Sequence, residues 1–133
     1  MRKVSARQND NKPASGEQPF VGRSILIIQK QWAIARGLAL AFETKGARVL
    51  SARGAAAGLE LAYDPYLVAG VLDSESPQLC RLLDKKQISY VVYSGRAHLD
   101  NACADATLIR KPASAEEVVT SVERLLGPRD HAP

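Results

Sequence analysis

The stretch LVAGVLD at residues 67–73 decides the fold, because a short apolar run ends there in a carboxylate and polar loop residues follow it. An apolar run of this length is typical of a strand buried on both faces of a parallel sheet. Asp73 is then expected just beyond the carboxyl end of a strand, where open α/β sheets place ligands and chemistry. On this stretch alone a helix-capping role explains Asp73 equally well, so the other strand ends must decide.

Four further runs read as strands. Ser24–Ile28 and residues 47–51 come before the central run, and residues 90–93 and Thr107–Arg110 come after it. Apolar residues at helical spacing predict helices between and after these strands, at 32–45, 55–62, 78–86 and 114–127. The alternation of strands and helices predicts an α/β fold with a parallel sheet, because right-handed crossovers return each strand to the same direction.

The predicted sheet is doubly wound, with five strands in the order 2-1-3-4-5 and the first and third strands flanking the switch point. Residues 96–106, between the fourth and fifth strands, are too few and too polar for a regular helix. We therefore expect the fourth helix of the alternation to be short or missing. The last helix is the best marked, since Ser114 and Glu117 have the spacing of a capping box and Gly127 closes it.

Length and composition predict one folded domain with flexible ends. The chain has 133 residues, of which 46% are apolar. Residues 1–23 hold five basic and two acidic residues in a polar, proline-containing context, which predicts a flexible basic tail. The domain is expected at 24–127 and a second flexible tail at 128–133. No apolar run approaches the length of a membrane span or of a signal-peptide core, so a cytoplasmic protein is expected.

Charge and cysteine content argue against two classes of partner or ligand. The net charge of +4 lies mostly in the basic tail, which leaves no basic surface on the domain for nucleic acid. Cys80 and Cys103 lack the paired spacing of metal ligands. We therefore predict two free thiols with no assigned role, rather than a metal site or a disulfide.

Three strand ends carry a recognisable set of residues. Asp73 ends the third strand, Ser94 ends the fourth, and Lys111-Pro112 follows the fifth. Over residues 24–127 this pattern resembles the receiver domain of bacterial two-component response regulators, and within that family the stand-alone receivers. The resemblance implies a flavodoxin-like fold in which Asp73 is the phosphoacceptor and Ser94 and Lys111 bind the phosphoryl group.

The sequence departs from that family at the metal site and at the switch position. The family has two acidic residues after the first strand, where this chain has Gln29 and Lys30. Magnesium prefers carboxylate oxygens, and only Asp73 and the backbone carbonyl of Glu75 remain as expected ligands. Magnesium binding and phosphorylation should therefore be weak or lost, and no other cofactor is expected. Leu108 stands where the family usually has an aromatic switch residue.

These departures leave two hypotheses for Lys30. In one, Lys30 and Lys111 hold Asp73 in a fixed ion pair that keeps the domain in one signalling state. In the other, Lys30 points to solvent and the site is inactive. Both predict that acetyl phosphate leaves the protein unmodified.

Two functions from different classes remain. The first is an atypical single-domain receiver in phosphorelay signal transduction, which is not an enzyme and acts by protein–protein contact. Its expected partners are a histidine kinase, a phosphotransferase or another regulator, with self-association through the last strand and helix, and neither nucleic acid nor membrane. The second is a small α/β enzyme or nucleotide-binding protein. A phosphate-cradling loop after the first strand would support it, but residues 28–32 contain no glycine.

Overall fold

The computed structural model of the chain describes residues 18–73, 76–96, 103 and 106–127. In these ranges strands and helices alternate in the order β1 Ser24–Ile28, α1 Trp32–Thr44, β2 Arg48–Ala52, α2 Ala55–Leu61, β3 Leu67–Leu72, α3 Pro77–Lys85, β4 Ser89–Ser94, β5 Thr107–Arg110 and α4 Ala115–Leu126. The strands pair in parallel in the order β2-β1-β3-β4-β5. The predicted doubly wound sheet is confirmed.

The connection between β4 and β5, where a short or missing helix was predicted, falls largely outside the described residues. None of the helices in the described ranges is long and apolar enough to cross a membrane.

The sheet separates two apolar layers, and the alternation of side chains along β1 shows how. All five residues of β1 are buried. Ile25 and Ile27 face the layer covered by α1 and α4, whereas Leu26 and Ile28 face the layer covered by α2 and α3. Burying an aliphatic side chain of this size contributes roughly 1.5–3 kcal/mol. The central strands are therefore held from both sides, which fixes the positions of the residues that follow them.

The folded part begins earlier than the predicted boundary at residue 24. Phe20 is fully buried and packs edge-to-face on Phe42, with ring centroids 5.4 Å apart. The backbone N–H of Phe20 donates to the carbonyl of Lys45 at 3.1 Å. Residues 18–23 therefore belong to the packed domain and not to a tail. A single aromatic residue within a polar segment produces no periodic signal, which is why the sequence did not show this. The rest of the predicted tails, 1–17 and 128–133, lies outside the described residues.

The prediction of two free thiols is wrong. Cys80, on α3, and Cys103, in the connection between β4 and β5, form a disulfide with a Cα–Cα distance of 6.0 Å. Both residues are buried in the layer covered by α2 and α3. Their sequence separation of 23 residues carries no motif. The bond therefore arises from the fold, which brings α3 beside that connection.

Candidate functional site

The carboxyl ends of the parallel strands meet at one edge of the sheet. Ile28, the last residue of β1, is paired with Ala52 of β2 and with Leu72 of β3. Ser94, the last residue of β4, is paired with Arg110 of β5. Residues that end or directly follow these strands are consequently brought to the same edge. The structure places all five principal candidates there, namely Gln29, Lys30, Asp73, Ser94 and Lys111.

Asp73 and Lys30 are joined through the backbone. The N–H of Lys30 donates to Oδ2 of Asp73 at 2.9 Å, in the gap between β1 and β3. The Lys30 side chain is exposed, while Asp73 is half-buried. A hydrogen bond to a carboxylate is stronger than one between neutral groups, so this contact holds Asp73 at the end of β3. It orients the carboxylate without using the lysine ammonium.

Lys111 is tied to Ser94, but its ammonium points elsewhere. The backbone N–H of Lys111 donates to the Ser94 carbonyl at 2.8 Å, which joins the ends of β4 and β5. The Lys111 Nζ donates to Oε1 of Gln31 at 3.3 Å and lies 5.4 Å from the centroid of the Tyr93 ring. The described contacts of Lys111 are therefore those of a lysine that bridges to the loop after β1. They do not form the expected ion pair with Asp73.

Ser94 combines a turn role with a free donor. It is buried, and its Oγ accepts a hydrogen bond from the Arg96 N–H at 3.2 Å. This bond accounts for the residue as a strand-end turn. A hydroxyl also has one O–H donor, which the Arg96 contact leaves available. The geometry thus allows Ser94 to donate to an anion at this edge.

Gln29 occupies the metal-site position in an unusual way. Its side chain is 2% exposed, and neither Nε2 nor Oε1 has a hydrogen-bond partner among the described residues. Burying an amide without a partner is unfavourable, so such groups are rare in folded proteins. The backbone N–H of Gln29 is satisfied, because it donates to the Ala52 carbonyl at 3.1 Å.

The residues at this edge do not fit a magnesium site. Within the described ranges no group of three or more His, Cys, Asp or Glu residues could hold a metal ion. Asp73 contributes one carboxylate, with Oδ2 already accepting from Lys30, and the neighbouring positions offer an amide and an ammonium. Magnesium demands several oxygen ligands in near-octahedral geometry. Glu75, the expected backbone ligand, lies outside the described residues.

Tyr93 anchors the chain at this edge, a structural role that sequence reasoning did not assign. Its hydroxyl donates to the Ala113 carbonyl at 2.8 Å and accepts from the Ala113 N–H at 3.1 Å. It thereby anchors the segment after the Lys111–Pro112 peptide bond, which is cis. A tyrosine in a strand predicted to be buried was the available signal, because its hydroxyl needs a partner.

Leu108, the expected switch position, is half-buried on β5 and packs against the α2 and α3 layer. The side chain is therefore part of the apolar packing. Its role in switching stays a prediction.

Similar solved structures are response regulators. A CheY-like receiver domain protein from Methanospirillum hungatei JF-1 has 23% identity and a TM-score of 0.67, covering 78% of this chain and 93% of that one. A regulator from Thermotoga maritima has 18% identity and a TM-score of 0.62, covering 80% and 98%. A regulator from Burkholderia pseudomallei, solved with a phosphorylated aspartic acid, a calcium ion and citrate, has 23% identity and a TM-score of 0.64, covering 76% and 66%.

No protein-family model and no curated protein matches the chain. The structural matches show that the chain has the receiver fold of CheY-like response regulators.

Proposed function

We propose that this protein is an atypical single-domain receiver in phosphorelay signalling that acts through protein–protein contact. One observation carries the proposal. Asp73, Ser94 and Lys111 stand at one edge of a receiver-type sheet, while Gln29 and Lys30 occupy the two positions that would hold the metal. The anion-binding residues are in place and the metal ligands are not.

The chemistry explains why the missing acids matter. In phosphorylation of Asp73, a carboxylate oxygen would form a bond to phosphorus as the bond from phosphorus to the donor atom breaks, a nitrogen in phosphohistidine or an oxygen in acetyl phosphate. The transferred group carries negative charge on its oxygens, so transfer depends on positioning and charge neutralisation. Here Ser94 and Lys111 can bind part of this charge, but Gln29 and Lys30 stand where two acids would hold a metal to neutralise the rest. Phosphorylation of Asp73 is consequently weak or lost.

The partners follow from this role. A receiver that is not an enzyme acts by presenting a surface to a histidine kinase, a phosphotransferase or another regulator. The surface we assign is β5, an edge strand, together with the exposed side of α4. Glu116, Arg124 and Leu125 are exposed on α4, with Leu125 at 41%. Both charge signs beside an apolar residue are suited to a two-fold self-contact as well.

Phosphorylation by acetyl phosphate with magnesium, read out by intact-protein mass, tests the proposal. The wild-type mass should stay unchanged. The double variant Gln29→Asp/Lys30→Asp should gain one phosphoryl group. The same double variant with Asp73→Asn is the matched control and should gain nothing.

Two results would contradict the proposal. Ready phosphorylation of wild-type Asp73 would place the protein among ordinary switching receivers. A double variant that binds magnesium yet stays unmodified would remove Asp73 as the acceptor.

A further inference from the structure

Two neighbouring clefts flank Trp32 on the surface between α1 and the edge strand β2. The first has a volume of about 240 Å³ and is lined by Gln29, Lys30, Trp32 and Arg53, among others. The second, of about 250 Å³, is lined by Trp32, Arg36 and Glu43 together with the apolar face of α1. Trp32, Ala35 and Ser51 line both clefts, so the two are adjacent, and we refer to them together as the groove. This groove adjoins the Asp73 site and shares Gln29 and Lys30 with it, whereas Asp73 itself lines neither cleft.

We propose that this groove binds an adenine mononucleotide, with the base in the first cleft and the phosphate at its cationic rim. The proposed ligand does not contact Asp73, and its binding does not depend on phosphorylation of that residue.

Trp32 provides the surface on which a base would stack. Its side chain is 74% exposed, which is uncommon for a large aromatic group that has a packed sheet beside it. The Arg36 guanidinium lies 5.7 Å from the centroid of its ring and supports the indole from α1. An indole held in this way offers a flat apolar face to a planar ligand, and stacking of bases on aromatic side chains is a recurrent mode of nucleotide binding.

Gln29 is the second and independent observation. The residue lines the first cleft, and its amide is almost fully buried, with neither its donor nor its acceptor bonded within the described part of the chain. An amide presents one donor and one acceptor side by side, which matches the N6 and N7 edge of adenine. The polar atoms of Gln29 are covered in this conformation, so pairing requires its side chain to rotate toward the cleft. A ligand with that edge would satisfy both atoms at once.

The rim of the first cleft is cationic. Lys30 and Arg53 are both exposed and both line the cleft, and they follow β1 and β2 respectively. Glu43, the acidic residue among the lining groups, belongs to the far end of the second cleft. The loop after β1 has no glycine, so it lacks the glycine-rich motifs that cradle phosphates, and the two side chains supply the positive charge here. A monophosphate matches the two cations.

Trp32 is the single tryptophan of the chain, so its emission reports directly on the groove. We expect AMP to quench Trp32 fluorescence with saturation, and adenosine and ribose 5-phosphate to do so at least about tenfold more weakly, since each lacks one of the two recognised parts. Asp73→Asn should bind AMP like the wild type, because Asp73 lines neither cleft.

Substitutions test the residues proposed to bind the base and those proposed to bind the phosphate separately. Gln29→Leu should weaken AMP binding roughly tenfold while retaining the apolar volume. Lys30→Ser with Arg53→Ser should bring AMP down to the level of adenosine. Arg48→Ser is the matched control, because Arg48 is an exposed cation at the opposite end of β2, and it should bind normally. Calorimetry with Trp32→Ala, which removes the fluorophore, should show loss of binding.

Three results would overturn the proposal. One is the absence of saturable quenching by AMP. Another is equal binding of AMP and ribose 5-phosphate, which would reveal a general phosphate patch. The third is wild-type affinity in the exposed double variant Lys30→Ser/Arg53→Ser, whose surface positions leave folding intact.

Discussion

The two halves of the carboxyl edge are built differently. In the half formed by β4 and β5, the Lys111 N–H bonds the Ser94 carbonyl, and the Tyr93 hydroxyl makes two hydrogen bonds to Ala113. In the half formed by β1 and β3, the Gln29 amide is buried without a partner in the described structure, and the exposed Lys30 reaches Asp73 only by its backbone. Among the described residues, the first half is joined by these hydrogen bonds, whereas the second holds a buried amide without a partner.

The difference follows from what each half must hold. An anion needs a hydroxyl and a cation, and Ser94 and Lys111 supply them from strand ends. A divalent metal needs several carboxylate oxygens, and the β1 half offers an amide and an ammonium in their place. With lysines on both sides of Asp73, the edge as a whole favours anions. The following predictions test that contrast.

The largest expected effect is the creation of magnesium binding in the β1 half. Gln29→Asp with Lys30→Asp restores two carboxylates beside Asp73, which is the ligand set that magnesium prefers. Calorimetric titration should show no saturable binding by the wild type and saturable binding by the double variant.

Lys86→Asp/Lys85→Asp serves as the control, because it adds acidic charge at the end of α3, away from this edge. Binding by that variant would mean that overall charge, and not the site, attracts the metal. Saturable binding by the wild type would show that the β1 half is still a metal site.

The next largest effect is expected for the Cys80–Cys103 disulfide, which links α3 to the connection between β4 and β5. Reducing the Cys80–Cys103 disulfide, or replacing both residues by serine, should lower the free energy of unfolding by about 3 kcal/mol, because a loop closed across 23 residues gains that much freedom in the unfolded chain. Urea denaturation with and without reductant measures it. Insensitivity of the wild type to reductant, with two titratable thiols, would show that the bond does not form.

The sequence was sufficient to predict the sheet, because each strand is a short apolar run bounded by residues typical of loops. The run at 67–73 and the run at 24–28 needed no tertiary information, since burial on both faces leaves a continuous apolar pattern. The positions of Asp73, Ser94 and Lys111 at one edge then followed from parallel topology alone.

Long-range contacts left no such pattern. The pairing of Cys80 with Cys103 and the packing of Phe20 on Phe42 depend on distances set by the whole fold. The same holds for the Lys111 ammonium. It contacts Gln31, whereas one of the two hypotheses paired it with Asp73. Side-chain choices between two nearby polar partners are decided by local geometry, and residue type alone does not encode them.

A smaller effect should come from the anchor of the β4 half. Tyr93→Phe removes both hydrogen bonds to Ala113 and should lower the free energy of unfolding by about 1–2 kcal/mol. Tyr66→Phe, on a side chain 61% exposed, is the control and should change little. Equal effects of the two substitutions in urea denaturation would mean that Ala113 is satisfied by water when Tyr93 is absent.

The smallest effect expected has the opposite sign and belongs to the β1 half. Gln29→Leu removes a buried amide that has no partner in the described structure, so without ligand it should raise the free energy of unfolding by about 1 kcal/mol. Arg53→Ser, on the exposed rim, should leave the free energy of unfolding unchanged.

A ligand that binds only the folded state adds to stability as its concentration rises. AMP should therefore raise the midpoint of wild-type unfolding and leave that of Gln29→Leu nearly unmoved, so that the two proteins converge at high AMP. A loss of stability in Gln29→Leu would instead mean that the amide is already satisfied in solution, and the contrast between the halves would then reduce to the metal ligands alone.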